Sequence, residues 1–241
     1  MNASFKSDAF DSKIFGFQVA KILSINDSVK PNDLDQTIKK LIRDLIKNKF
    51  VYATYRVAAN KFPLIHSLEK NGFILVDGLI SLEVNIEDVV FEDVPEVRIA
   101  NKKDKKNLES IASSSFYLNR VFNDSVIPKN KANDFYKTWV GNSLSGKAAD
   151  LVLVWEDNKI RGFTTLEKSG HIPLTAVSSE ARGKGIAKKL TKATFPYFKK
   201  WKVKRILIET QMGNIPALRA YQASGFKIIN SHLTFRWASK D

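Results

Sequence analysis

Cysteine is absent from the 241 residues, and histidine occurs only three times. The first absence excludes disulfides, thiolate metal ligands and a cysteine nucleophile. The second, with the histidines scattered along the chain, supplies no zinc set, so no metal is expected. Long apolar runs are also missing: none approaches the ~20 residues that a bilayer-crossing helix needs. Met1-Asn2-Ala3-Ser4-Phe5-Lys6 shows no basic stretch followed by an apolar block, so no signal peptide is expected and a cytoplasmic protein is the simple reading. Arginine is scarce, at nine of 39 basic residues, and no long basic tract or nucleic-acid motif accompanies it, which argues against a nucleic-acid binder.

What is present suits a folded α/β chain. Hydrophobic residues make up 44%, enough for a core in one large domain or two small ones. The formal net charge of +14 fits either a lysine-rich surface or an anionic partner. Up to residue 90, strands are expected over Phe15–Leu23, Phe50–Ala58 and Ile74–Val84. Between them Leu34, Ile38, Leu41, Ile42, Leu45 and Ile46 recur at helical spacing, so 33–48 reads as an amphipathic helix. A short helix over 63–71 is closed by Gly72. The acidic stretch Glu87–Glu96, with Pro95, reads as a linker. That gives an N-terminal domain over 1–90 and a C-terminal one over 96–241.

In the second part, helices are expected over 103–115, 130–145, 184–200 (with Pro196 inside it) and 216–224. Strands are expected over 151–155, 161–166, 172–177, 205–209 and 226–237. Two stretches repeat a pattern: PLIHSLEKNGFILVDGLISLEV from Pro63 and PALRAYQASGFKIINSHLTFRW from Pro216. In both, proline opens a helix, Gly-Phe follows nine residues later, and a strand comes next. This is either coincidence between two strand–helix–strand units or the mark of a cut-down N-terminal copy.

The segment with chemical character is HIPLTAVSSEARGKGIAKKL, residues 171–190. An apolar strand runs into Arg182-Gly183-Lys184-Gly185-Ile186-Ala187 and directly into a helix. A helix start leaves about four N–H groups unpaired and carries the positive end of the dipole. Glycines at 183 and 185 let backbone approach a phosphate, and Arg182 and Lys184 add charge, so a pyrophosphate is a natural occupant. Neither a Walker loop nor GxGxxG is present. Farther on, TQMGNIPALRAYQASGF places Asn214 before a helix that carries Tyr221 and ends at Gly225. Tyr221 alone is a core aromatic or a catalyst.

Taken together, R-x-x-G-x-A (Arg182, Gly185, Ala187) and N-x-x-A-x-x-x-Y-x-x-x-G-F (Asn214, Ala217, Tyr221, Gly225, Phe226) resemble the GNAT acetyltransferase superfamily. The chain is more closely similar to the TDP-fucosamine N-acetyltransferase family. Its matching stretches are Phe10–Gly16, Gly72–Gly78, Asn119-Arg120, Phe135–Trp139 with Asn142 and Gly146, Ile160–Phe163 and Thr210–Asn214. Val121–Lys131 departs from that pattern, and Asp77 stands where the family commonly shows glutamate.

The resemblance implies a GNAT fold, a mixed twisted sheet flanked by helices, with a truncated GNAT-like N-terminal part. It implies acetyl-CoA as co-substrate and a dTDP- or UDP-amino sugar, of the dTDP-4-amino-4,6-dideoxyhexose type, as acceptor. A homodimer is also implied. Tyr221 would protonate the departing CoA thiolate, and Asp77 would take the amine's proton through water, with Glu167 and His171 as alternatives. The backbone of Ala176 and Val177 would pair with pantetheine, and one of their N–H groups would serve the oxyanion. Amides of Arg182, Gly183, Lys184, Gly185, Ile186 and Ala187 would hold the pyrophosphate. Asn214 would sit near the pantetheine or cap its helix, and Phe15, Tyr117 and Arg120 would contact the acceptor. Another amine, such as a protein N-terminus, or a non-catalytic binding role on the same scaffold, are the other readings.

Overall fold

The computed structural model describes residues 3–28 and 31–239. Its elements alternate between strand and helix, and they fall into two compact units. Unit 1 holds the chain up to Leu79, Asn119–Lys131 and the chain from Ser231. Unit 2 holds Ile80–Leu118 and Ala132–Asn230. This division differs from the segment boundary near residue 90. The reason is a non-local ladder: the final strand, β11 (Lys227–Ala238), pairs antiparallel with β3 (Tyr52–Ala58) from His232↔Ala58 to Ala238↔Tyr52. Glu87–Glu96, expected as a linker, lies wholly in unit 2.

In unit 1, β1 (Ala3–Ser7) runs antiparallel to β2 (Val19–Ile25), and β2 runs parallel to β3, so the sheet is mixed. The strand expected over Phe15–Leu23 is in fact the end of one element and most of another. Helix α1 (Ala9–Phe15) starts where the Asp8 side chain accepts from the Asp11 N–H, and it stops at Gly16, whose φ of +84° is left-handed. β2 begins only after that turn. Helix α2 spans Pro31–Lys47. Leu34, Ile38, Leu41 and Leu45 are buried as the spacing requires, whereas Ile46 is exposed. These residues pack with Leu64, Ile65 and Leu68 of α3 (Phe62–Lys70), with Phe73, and with Phe235 and Trp237 of β11. β4 (Ile74–Asn85) follows α3.

Unit 2 contains β5 (Val97–Ile99), α4 (Lys105–Ser115), α6 (Lys129–Leu144, from Ala132 onward), β6 (Leu151–Glu156) and β7 (Ile160–Leu166). After these come β8 (His171–Ile172), β9 (Thr175–Val177), α7 (Ile186–Lys200), β10 (Arg205–Gln211) and α8 (Ile215–Gln222). A short helix that the sequence pattern did not reveal, α5 (Arg120–Asn123), belongs to unit 1; the Asn119 side chain caps it by accepting from the Val121 N–H. In unit 2, β5, β6, β7 and β9 form an antiparallel sheet in that order. The single strand expected over 172–177 is two strands. Ile172 pairs with Ile208 of β10, whereas Thr175 pairs with Thr164 of β7, so the chain changes sheets across Pro173 and Leu174.

Helix α7 packs over this region through Ile186 and Leu190, against Ala181, Val177, Trp155 and Val97. Farther along, Ala193, Phe195 and Phe198 join Leu153, Leu166, Ile172, Ile206, Ile208, Tyr221 and Phe226 in the main core of the unit. Lys189 and Lys192 of α7 bind Glu96 and Glu92, so the acidic stretch lies along the helix.

Close contact between α7 and the sheet depends on Gly162. A Cβ there would meet the Ala176 carbonyl oxygen at 2.8 Å and Leu190 Cδ1 at 3.0 Å. Gly162→Ala is therefore expected to destabilise the protein by about 1–3 kcal/mol through overpacking. Denaturant unfolding reads this directly; an unchanged midpoint would show that the contact relaxes freely.

Candidate active site

The change of sheets at Pro173 leaves β9 as the last strand of its sheet. Register decides which of its backbone groups face outward. Thr165 N–H donates to the Leu174 oxygen at 2.9 Å and Ser178 N–H to the Arg161 oxygen at 2.8 Å. In an antiparallel ladder these two hydrogen-bonded pairs make Phe163·Ala176 one as well, and Thr164·Thr175 and Gly162·Val177 the alternate, non-bonded pairs. The Ala176 backbone is therefore turned toward β7, and the N–H and C=O of Thr175 and Val177 point to the open edge. The point of divergence is held by a side chain: Thr165 Oγ1 accepts from the Leu174 N–H at 3.0 Å, supplying a partner where the strand has none.

Directly after β9 the chain makes a single 3-10 turn, Ser179–Ala181, and then the segment Arg182–Gly185. Gly183 (φ +79°) and Gly185 (φ +75°) are both left-handed, and no heavy atom lies within 4 Å of where a Cβ would stand at either. Glycine is needed here for backbone conformation and for an open approach. The first bond of α7 runs from Lys189 N–H to the Gly185 oxygen at 3.1 Å, so the N–H groups of Ile186, Ala187 and Lys188 lie ahead of the helical ladder. Buried Ala181 and Ile186 anchor the two ends of the turn, while residues 182–185 are exposed. Unpaired N–H groups and the positive end of the dipole at such a helix start suit an anion.

Its two cations behave differently. The Arg182 guanidinium folds back, donating from Nε to the Val177 oxygen at 3.3 Å and from an Nη to the Ser114 oxygen at 3.3 Å. It also lies 5.9 Å from the ring centroid of Tyr117, which is 54% exposed. Arg182 thus braces the end of β9 against α4, and Lys184 is the exposed charge at the mouth.

Tyr221 reaches this region from α8. Its ring is in the core beside Phe226, at 6.3 Å between centroids, and the Thr175 side chain acts on its phenol. Burial pushes its ionisation up to about 12, with Thr175 pulling weakly the other way. The phenol is therefore protonated at neutral pH. Asn214 caps α8: its side-chain oxygen accepts from Ala217 N–H at 3.4 Å, and its Nδ2 donates to Thr210 Oγ1 at 3.2 Å.

The repeated pattern can now be compared in space. Phe73 N–H bonds to the Leu68 oxygen as Phe226 N–H bonds to the Tyr221 oxygen, and Gly72 and Gly225 are both left-handed. The position of Tyr221 is thus occupied by buried Leu68 in unit 1, which has no proton to give.

The remaining candidates are dispersed. Asp77 lies on β4 in unit 1, 8% exposed. Glu167 and His171 face one another across the β7–β8 turn at 3.8 Å, and Glu167 also accepts from Ser169. Phe15 is buried in unit 1 against Phe17 and Tyr52, and Arg120 donates to buried Asp11 at 2.6 Å. Burial raises the Asp11 pKa against the pull of Arg120. Nearby, Tyr52 donates to Asp124 at 2.7 Å, and burial and that carboxylate hold the phenol well above its ordinary value. Four residues of unit 2 went unnoticed in the sequence: Thr164, Thr165, Thr175, and Glu209 on β10, which accepts from Ser81 at 3.0 Å. Among the described residues no cluster of three or more His, Cys, Asp or Glu could hold a metal ion.

Residues 111–226 match the model of the Acetyltransferase (GNAT) family. The spore coat polysaccharide biosynthesis protein SpsD of Bacillus subtilis is 22% identical over 98% of this chain and 84% of its own length. A dTDP-fucosamine acetyltransferase of Escherichia coli is 27% identical over 72% of this chain and 75% of its own. Among solved structures, a GCN5-related N-acetyltransferase from Sphaerobacter thermophilus superposes with a TM-score of 0.66 at 14% identity, over 98% of this chain and 76% of that one.

The helix mouth yields a direct test. Gly185→Asp would place a negative charge and a Cβ, at an unfavourable φ, where an anion at this helix start would sit. Calorimetry should show acetyl-CoA binding lost, with the unfolding midpoint moved only slightly. Retained affinity would remove the mouth from the cofactor site.

Proposed function

Because residues 111–226 form a GNAT acetyltransferase domain and the chain is an acetyl-transferring enzyme, we propose that it moves the acetyl group of acetyl-CoA to the amine of a nucleotide-linked amino sugar. The observation that carries the acetyl-CoA part is one run of chain. The open edge of β9 passes into the glycine-opened mouth of α7, with the Tyr221 phenol under the influence of that same strand's Thr175. The mouth suits a pyrophosphate, the outward N–H and C=O of Thr175 and the N–H of Val177 suit the amides of an extended pantetheine arm, and Tyr221 lies beside the strand that would carry the thioester. The family uses acetyl-CoA; the assignment of these residues to its parts is our reading.

The amine attacks the thioester carbon, the C–S bond breaks, and the thiolate takes up a proton while the nitrogen loses one. The outward Val177 N–H is the donor we assign to the carbonyl oxygen as its charge grows. Tyr221 is assigned to the sulfur. A thiol ordinarily ionises near 8.5, so full transfer from a phenol at about 12 to a free thiolate runs uphill by about 5 kcal/mol. A thiolate desolvated in the same site is raised by the same burial, which narrows that gap. Tyr221 therefore acts first as a hydrogen-bond donor to the developing charge. For proton removal from the amine, Asp77 is the assigned carboxylate and Glu209, in the same unit as Tyr221, is its rival.

The acceptor assignment rests on the names of the two relatives, one in spore coat polysaccharide biosynthesis and one a dTDP-fucosamine acetyltransferase, and on the net charge of +14. That charge disfavours a polyamine and favours an anionic nucleotide sugar. We further propose that 1–90 is a truncated copy of the complete domain in 96–241, without its phosphate loop.

A thiol-release assay with acetyl-CoA and a panel of dTDP- and UDP-amino sugars tests the acceptor. Turnover should be inhibited by dTDP, and an enzyme for peptide amines would ignore it. Tyr221→Phe should lower kcat by tens-fold with little change in acetyl-CoA affinity, and the wild type should show no alkaline limb from tyrosine below pH 10. An unaltered kcat would take Tyr221 out of the reaction. Asp77→Asn should shift the acidic limb of the pH–rate profile and Glu209→Gln should not; the reverse pattern transfers the role to Glu209.

A further inference from the structure

Strand β11 has a second face. Leu233, Phe235 and Trp237 pack into the core that α2 and α3 share, so His232, Thr234 and Arg236 line the opposite side. On β3, Tyr55 and Val57 belong to that core, which puts Thr54, Arg56 and Ala58 on the same opposite side. The Ala59 N–H donates to the Ser231 oxygen at 3.0 Å and the Ser239 N–H to the Val51 oxygen at 2.9 Å. His232·Ala58, Thr234·Arg56 and Arg236·Thr54 are then non-bonded pairs of the ladder, where side chains approach most closely. All of these residues belong to unit 1.

Three successive side chains of this row carry hydrogen-bonding capacity that the protein leaves unused. Thr234 is 5% exposed, and its buried Oγ1 has no partner among the described residues. The buried Nδ1 of His232 has none among them either. Arg236, whose side chain is 13% exposed, makes one hydrogen bond among the described residues, from Nε to Asp124 at 3.3 Å, so its terminal nitrogens are uncommitted. Asp124 also accepts from the Tyr52 hydroxyl at 2.7 Å and from the Val126 N–H at 3.0 Å, and it holds the guanidinium by one edge. A buried polar atom without a partner bears its whole desolvation cost. Two such atoms at alternate positions of one strand, beside a half-used arginine, mark a place that a polar ligand completes.

The chemistry of the row selects the ligand. Arg56 stands directly across from Thr234 and adds a second cation, while Asp124 is shared among three donors. The face opens along β3, from Tyr52 at 0% exposed through Thr54 at 8% to exposed Arg56, and at that open end His232 faces only the small Ala58. An oxygen-rich anion entering there meets donors and positive charge together. Resting on the reading of the acceptor as a nucleotide-linked amino sugar, we propose that this face of unit 1 binds the diphosphate of the nucleotide. Thr234, His232 and the terminal nitrogens of Arg236 donate to its oxygens, and Arg56 supplies the second charge.

The test uses the full chain saturated with CoA, so that the α7 mouth is already filled. dTDP and, separately, inorganic pyrophosphate are titrated, and binding is read by calorimetry and by amide chemical shifts. The variants are Thr234→Val, which keeps shape and strand preference, Thr234→Ser, which restores the hydroxyl, and Arg56→Gln. In the wild type both ligands should move the amides of residues 231–237. Thr234→Val should weaken dTDP binding about tenfold or more, and Thr234→Ser should recover most of the loss. Arg56→Gln should weaken binding and flatten its dependence on salt. The urea midpoint of Thr234→Val should stay level or rise, because a hydroxyl without a partner has no bond to lose. A structural threonine would show the opposite pattern, with stability lowered and affinity kept.

Unchanged dTDP affinity in Thr234→Val would overturn the proposal, since the hydroxyl would then hold no more than a buried water. A clearly lowered midpoint would overturn it too, by showing that the hydroxyl already has a partner in the protein. Turnover of a nucleotide sugar with the amides of 231–237 unmoved by dTDP would sink this inference and leave the acceptor reading intact. If no nucleotide sugar is turned over and dTDP is ignored, the acceptor reading fails by itself. Pyrophosphate, which needs no acceptor chemistry, then decides whether the anion site exists: shifts at 231–237 keep it, and their absence removes it.

Discussion

Ile172 and Thr175 are three residues apart and belong to different sheets. The rest of the site follows from that separation. A strand held by β7 on one edge and β10 on the other would have both edges filled, and its amides would be unavailable to anything but its neighbours. Proline at 173 has no N–H to contribute to a ladder, and Thr165 supplies the hydroxyl that satisfies Leu174 at the break. β9 is thereby left with one paired edge and one open one. Its two outward-facing residues, Thr175 and Val177, are separated by the one that faces inward, a spacing dictated by the pleat alone.

The helix mouth depends on the same break, because α7 starts only nine residues after β9 ends. The anion affinity we propose for it would come from backbone before side chains. Helix ends contribute a fraction of a kcal/mol to about 2 kcal/mol toward a charge, depending on burial. Three N–H groups ahead of the ladder add directed hydrogen bonds that an isolated lysine cannot match. Arg182, part of the motif that marks the family, is spent on holding Val177 and Ser114 in place. Its contribution is then to the shape of the loop as much as to its charge. The overall positive balance would act at longer range on the anionic ligand we propose, and would be weakened by salt.

Much of this was legible in the sequence, though unevenly. The period of Leu34, Ile38, Leu41 and Leu45 marked α2 because one stripe faces the core. Gly183 and Gly185 marked the mouth because left-handed backbone leaves few other choices. What escaped depends on partners distant in the chain. The Phe15–Leu23 run reads as a strand since Phe15, at a helix end, and Val19, Ala20 and Ile22, at a strand start, are all core; Asp8 and Gly16 set the true limits. The pairing of β11 with β3 carries residues 231–239 into unit 1, and no local pattern announces that. Thr164, Thr165 and Thr175 are common strand formers, so their hydroxyls carried no signal until their neighbours were known. Leu68, at the place of Tyr221 in the repeat, was visible as a letter but acquired meaning only when both helix ends proved alike.

The central claim is that one stretch of backbone, from the open edge of β9 into the first turn of α7, receives acetyl-CoA. Amide chemical shifts followed during titration with CoA measure it residue by residue. The account predicts that Thr175, Val177 and the amides from Gly183 to Lys188 move most and saturate together, with the Ala176 amide, which faces β7, moving less. Saturable binding of CoA that leaves those amides in place, and shifts others instead, would contradict it.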